Sequence, residues 1–109
     1  MSAEPWPTEL RVSADRRMLT ARFDDGSAFD IPAALLRAMT PSAAERGHGG
    51  PSFEPVRGVG EGAALRTLSP VGRYAVRIGF EDGHDSGLYT WDRLHRIGRE
   101  RVALEAQLT

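Results

Sequence analysis

The chain has no cysteine. Disulfide scaffolds, cysteine nucleophiles and sites built from this chain's own thiolates are therefore excluded. Lysine is absent as well, so all 14 basic residues are arginine. This reads as a compositional habit of the source genome and not as a binding device. No run approaches the ~18–20 apolar residues of a membrane span. Basic charge is not in excess either: 14 basic residues stand against 15 acidic ones, for a net charge of −1 and a pI near 6.3. A dedicated nucleic-acid binder usually shows a basic face and a basic pI, so that class is set aside. The N-terminus has no basic stretch followed by an apolar one, and the expected location is the cytoplasm.

What remains is 109 residues, 40% of them hydrophobic and 27% charged. That is one domain's length with an ordinary globular composition, so 1–109 is read as a single domain. Residues 1–7, with Pro5 and Pro7, read as a loose lead-in. Glu9 to Ser13 alternates apolar and polar, as a half-buried strand does, and Leu19 to Phe23 repeats the pattern. Asp25-Gly26 supplies residues that accept a positive φ at a hairpin turn. Phe29 and Ile31 mark a third strand. Pro32 then opens a helix that carries Leu35, Leu36 and Met39, and Pro41 closes it.

Residues 46–62 hold six glycines and two prolines and read as one long loop. Ala64 to Leu68 reads as a strand. Tyr74, Val76, Ile78 and Phe80 form the inward row of the strongest strand, with Ala75, Arg77 and Gly79 outward. Asp82-Gly83 turns the chain, and Gly87 to Tyr89 returns it. Thr90 is the expected N-cap of a helix running from Trp91 towards Gln107. Leu94, Ile97, Val102 and Leu104 form its apolar set, and Gly98 is a point of bending or division. Arg22-Phe23-Asp24-Asp25-Gly26 and Gly79-Phe80-Glu81-Asp82-Gly83 each lead into a strand and a helix. The expected fold is therefore α+β: two strand-turn-strand-helix units forming an antiparallel or mixed sheet packed with two helices.

The string from Tyr74 to Ile78, then Phe80-Glu81-Asp82-Gly83-His84-Asp85-Ser86-Gly87-Leu88-Tyr89-Thr90-Trp91, is the most distinctive in the chain. Together with Trp6-Pro7-Thr8-Glu9-Leu10-Arg11-Val12 and Arg46-Gly47-His48-Gly49, it resembles the gamma-butyrobetaine hydroxylase-like N-terminal domain family. The family occurs in three settings: on gamma-butyrobetaine and trimethyllysine dioxygenases, on P-loop ATPases that carry iron–sulfur clusters, and as small stand-alone bacterial proteins. The chain's length matches the third setting. The dioxygenases keep their catalytic iron in a separate domain. In their N-terminal domain the resemblance implies a zinc held by Cys-x-Cys-x-x-Cys after the first helix and by one histidine. The histidine falls on His84, and the cysteine positions fall near Thr40, Ser42 and Glu45. A hydroxyl is a poor zinc ligand at neutral pH, so the expected state has no metal, with the corner closed by hydrogen bonds.

Other candidates carry a sharp and a plain reading. His84 with Asp82 and Asp85 forms either a small metal or acid–base cluster or a turn bonded to its own backbone. Gly83 and Ser86 belong to the same turn. His48 in Gly47-His48-Gly49-Gly50 suggests an oxyanion loop, but the Gly-x-Ser-x-Gly elbow that would accompany it is missing. It is read as a loop histidine or a partner contact. Gly58-Val59-Gly60-Glu61-Gly62 lacks the Gly-Lys-Ser/Thr ending of a phosphate loop. Arg93, Arg96, Arg99 and Arg101 scatter around a helix and form no stripe. Arg77 is outward-facing and available to Glu54, Glu81 or a partner. Trp91 and Trp6 are read as packing residues, and an exposed Trp6 would instead mark an interface.

With no catalytic motif and no cofactor expected, the leading reading is a non-catalytic accessory domain acting through protein contacts. Its surface would be the Gly-rich loop, the His84 turn and the last helix. The candidate partners are an iron–sulfur carrier ATPase or a dioxygenase. The alternatives are a metal-linked role, in iron–sulfur assembly or through His84, and a small hydrolase using His48 or His84.

Overall fold

A computed structural model of the protein describes residues 6–39, 55, 60, 62–83 and 87–107. The chain forms β1 (Pro7–Val12), β2 (Met18–Phe23), β3 (Ala28–Pro32), α1 (Ala33–Ala38), β4 (Leu65–Val71), β5 (Ala75–Phe80), β6 (Gly87–Thr90), α2 (Trp91–Arg99) and α3 (Arg101–Ala106). The strands make two antiparallel three-stranded sheets, β1-β2-β3 and β4-β5-β6, so the fold is α+β. One hydrophobic cluster serves both sheets. Leu19, Ala21 and Phe23 from β2, Val76, Ile78 and Phe80 from β5, Leu35 and Leu36 from α1, and Leu94 and Ile97 from α2 all lie in it. Alternation explains the strand contributions, because side chains spaced by two share a face. Gly79 and Ala75 are nevertheless buried on the other face of β5.

The two units repeat each other closely. Pro7 pairs with Phe23 and Leu65 with Phe80, and each register slips at the next residue of the outer strand. Asp24 N–H donates to Trp6 O at 2.8 Å, and Glu81 N–H donates to Ala64 O at 2.9 Å. Ala33 N–H donates to Arg17 O at 2.8 Å, and Trp91 N–H donates to Tyr74 O at 3.1 Å. Gly26 and Gly83 sit at φ 90° and 93° in the matching turns, a region that favours glycine. In these pairings Trp6 corresponds to Ala64, Pro7 to Leu65 and Ala33 to Trp91.

One cross-link is not shared. Leu65 N–H donates to Arg16 O at 2.7 Å, joining the first hairpin to β4. The mirror donor would be Pro7, which has no N–H. Arg73 O, in the matching turn, accepts the Trp91 indole N–H at 2.8 Å instead. The indole thus supplies the donor that proline lacks.

Several local expectations change in three dimensions. Trp6 is held by Asp24, whose carboxylate accepts its N–H at 3.0 Å, and β1 begins at Pro7, ahead of Glu9. Pairing with β5 carries β4 through Pro70 to Val71, beyond the expected end at Leu68; as an edge strand it tolerates a proline. Tyr74 is not in the inward row. It belongs to the β4–β5 turn and is 56% exposed. The expected last helix is two helices, parted at Glu100 with φ −101° and ψ 17°. The new axis leaves Val102 83% exposed, so Val102 leaves the apolar set while Leu104 keeps its place. Of the loop over 46–62, Pro55, Gly60 and Gly62 are described. Gly60 approaches the Ala34 carbonyl so closely that a Cβ there would lie 2.2 Å from it.

Candidate functional site

Three regions have side chains that chemistry or recognition could use. The first joins the Asp25 turn to α2. His95 is 8% exposed, and the rings of Phe23 and Phe29 meet its imidazole edge-on at 4.9 and 5.1 Å. Its Nε2 lies 3.0 Å from Asp25 Oδ2 and 3.2 Å from Ser27 Oγ. The Ser27 hydroxyl and N–H both donate to Asp25 Oδ1. Those two Ser27 bonds, followed by His95, hold the Asp25 carboxyl at about 2, well below 3.8.

Serine, histidine and aspartate do therefore meet here, a grouping that no sequence motif announces. The order is wrong for a relay. A catalytic imidazole bridges hydroxyl and carboxylate through its two different nitrogens. Here both groups face Nε2, and the hydroxyl's proton is directed to the carboxylate. The cluster is a clamp between a turn and a helix. Sequence reasoning missed it because Asp25 and His95 are far apart in the chain. The internal repeat was the available signal, since His95 in α2 matches Arg37 in α1 and Asp25 matches Asp82.

The second region is that matching clamp. Arg37 Nε donates to Asp82 Oδ2 at 3.0 Å, and its guanidinium lies 5.9 Å from the centre of the Phe80 ring. Each unit's turn carboxylate thus holds the other unit's helix, a reciprocal arrangement of the kind a twofold relation produces. Tyr89 is fully buried and donates its hydroxyl proton to Leu36 O, while Arg93 Nη2 donates to Met39 O at 2.6 Å. These bonds add donors to carbonyls at the C-terminal end of α1, where Leu36 O also accepts the Met39 N–H at 3.2 Å.

This is the corner where the resemblance places a zinc. His84, Asp85, Ser86, Thr40, Ser42, Glu45 and His48 lie outside the described residues. Asp82 and Gly83 on one side, and Met39 on the other, bring the two flanks together. The surroundings do not fit the family's zinc. The carboxylate present already holds an arginine, a second guanidinium reaches the helix end, and thiolates are lacking. Among the described residues, no group of three His, Asp or Glu side chains is placed to hold a metal ion.

The third region is a surface. Trp6 is 46% exposed, and its ring packs edge-on against Trp91 at 6.2 Å. Trp91 itself is buried, as a packing residue should be, and its indole anchors Arg73 O beside exposed Tyr74. Two exposed aromatic residues are thus tied to a buried one, Trp6 by its ring and Tyr74 by its backbone carbonyl, which accepts the Trp91 N–H at 3.1 Å. Arg77 is exposed on β5, and none of the ion pairs among the described residues involves it or Glu81. Among the described residues, no helix is long and apolar enough to cross a membrane.

The model of the gamma-butyrobetaine hydroxylase-like N-terminal family matches residues 10–95. No curated protein sequence matches the chain. Two solved NMR structures are similar, each 34% identical. One covers 95% of this chain and 81% of its own with a TM-score of 0.73, the other 97% and 80% with a TM-score of 0.74. A crystal structure of a protein of unknown function from Acidithiobacillus ferrooxidans, of the DUF971 family, is 26% identical, with a TM-score of 0.62 over 84% of this chain and 91% of that one. Matched over most of its length, and with the repeated fold in place, the chain belongs to the gamma-butyrobetaine hydroxylase-like N-terminal domain family.

Proposed function

We propose that this protein is a non-catalytic accessory domain of the cytoplasm that works by contacting another protein. The observation that carries this reading is the surface formed by Trp6 and Tyr74 around Trp91. Large aromatic side chains left in solvent cost apolar hydration, and they are enriched where proteins bind one another. The described polar clusters support the same reading, because each is spent on holding turns to helices. The arginines at the family's zinc corner favour a domain that stands without that metal. The candidate partners remain an iron–sulfur carrier ATPase or a dioxygenase.

The test is affinity capture from the native cytoplasm with the wild-type chain and with a Trp6→Ala/Tyr74→Ser variant. A specific partner retained by the wild type and lost by a variant of equal melting temperature is the expected result. Recovery of no specific partner, or equal recovery by both, sinks the reading. Metal analysis of untagged protein gives a second check, since zinc or iron near one equivalent that disappears in His84→Ala would establish the metal-linked alternative.

A further inference from the structure

The two ends of the repeat carry different side chains, and a cleft lies at one of them. At one end of the molecule Trp6 and Trp91 fill the corner where the first strand of one unit meets the helix of the other. At the other end the corresponding residues are Ala64 and Ala33. There the β1–β2 turn and the start of β4 enclose a cleft of about 380 Å³, lined by Val12, Ser13, Arg16, Leu65, Arg66 and Leu68 among others. β1 and β4 are outer strands of their sheets. Val12 and Leu68 are only half buried, so they add apolar surface to a largely polar cleft.

The rim is cationic. Arg16 and Arg66 line the cleft and are exposed, and their guanidinium groups have no ion-pair or hydrogen-bond partner among the described residues. The arginines of sheet β1-β2-β3 and of the helices are used differently. Arg11 and Arg22 hold Glu9, Arg37 holds Asp82, Arg96 and Arg99 hold Glu100, and Arg101 holds Glu105. Asp15, in the same turn, accepts from the Ser13 hydroxyl and Arg17 N–H. Arg16 and Arg66, two cations with no ion-pair partner among the described residues, thus share one cleft, while the similarly unpaired Arg77 lies on β5.

We infer that this cleft docks an extended acidic segment of a partner protein, with carboxylates on Arg16 and Arg66 and an apolar side chain over Val12 and Leu68. Guanidinium groups suit carboxylates because their paired donors match the two oxygens. The inference rests on the accessory reading and adds a second contact, separate from the Trp6–Tyr74 surface.

A short fluorescein-labelled peptide in which glutamate alternates with valine is the probe, titrated with the full chain and followed by anisotropy. The control peptide carries lysine for glutamate. The expected result is binding of the glutamate peptide only, weakened by added salt. Backbone amide shifts should centre on Val12, Leu65 and Leu68. Arg66→Glu removes a cation with no partner to lose, and Arg16→Asn suits that residue's φ of 62°. The double variant should melt like the wild type and bind at least about tenfold more weakly. Equal binding by the variant, shifts centred on Trp6 and Tyr74, or full displacement by inorganic phosphate would overturn the inference. If partner capture still depends on Trp6 and Tyr74 while the peptide fails to bind, the cleft assignment falls and the accessory reading stands.

Discussion

Replacing Gly98 with alanine should destabilise this protein, against the usual rule. In a helix interior, alanine is better than glycine by ~1 kcal/mol. Here a Cβ at position 98 would lie 2.5, 2.6 and 2.7 Å from Cγ, Cβ and Cδ2 of Phe29. One of those atoms is a Cβ, which no change of rotamer moves. Helix α2 must therefore back away from β3. Overpacking of this kind costs ~1–3 kcal/mol, so the two effects together leave a net loss of up to ~2 kcal/mol. For a chain of this size that is a fall in melting temperature of up to roughly 10 °C. His95 lies three residues earlier on the same helix face and should lose its approach to Asp25. Thermal and urea unfolding followed by circular dichroism measure the loss, and the His95 ring resonances report the displacement. Ala103→Gly, on the exposed side of α3, is the control and should cost only the propensity term of ~1 kcal/mol. If Gly98→Ala raises the melting temperature while the control behaves normally, α2 does not pack on Phe29 as described.

Other substitutions test the same architecture. Tyr89→Phe removes the hydroxyl that donates to Leu36 O, which keeps the Met39 N–H at 3.2 Å, and should cost ~1 kcal/mol by urea denaturation. Trp91→Phe keeps an aromatic ring but removes the donor to Arg73 O; a loss of ~1 kcal/mol is expected, with faster hydrogen exchange in the β4–β5 turn. Gly60→Ala combines a φ of 98° with a Cβ only 2.2 Å from the Ala34 carbonyl, and should be among the most damaging single changes by melting temperature. Asp25 gives a pH signature. Its folded-state value of about 2 lies below the ordinary 3.8, so its stabilising contribution is complete above ~4 and is lost as pH falls towards 2. Asp25→Asn should flatten the acid limb of the stability curve in that window; an unchanged limb would show that the carboxylate is not held by Ser27 and His95.

The sequence determined what depends on neighbours in the chain. Period-two alternation identified β2, β5 and most of β1, because burial of one sheet face imposes that period. Asp25-Gly26 and Asp82-Gly83 gave the turns, and Thr90 gave the cap of α2, where its hydroxyl accepts Arg93 N–H at 3.1 Å. The repeated Phe-acid-Asp-Gly string showed that there are two units. The tertiary structure decided the rest. Tyr74 fits the alternation of β5, yet pairing ends at Ala75 and leaves it in a turn. Val102 fits the helical spacing, yet the break at Glu100 turns it outward. The two clamps, His95 to Asp25 and Arg37 to Asp82, each cross from one unit to the other, and no local period carries such information. The cleft edged by Arg16 and Arg66 exists only once the outer strands of two separate sheets are brought together at one corner.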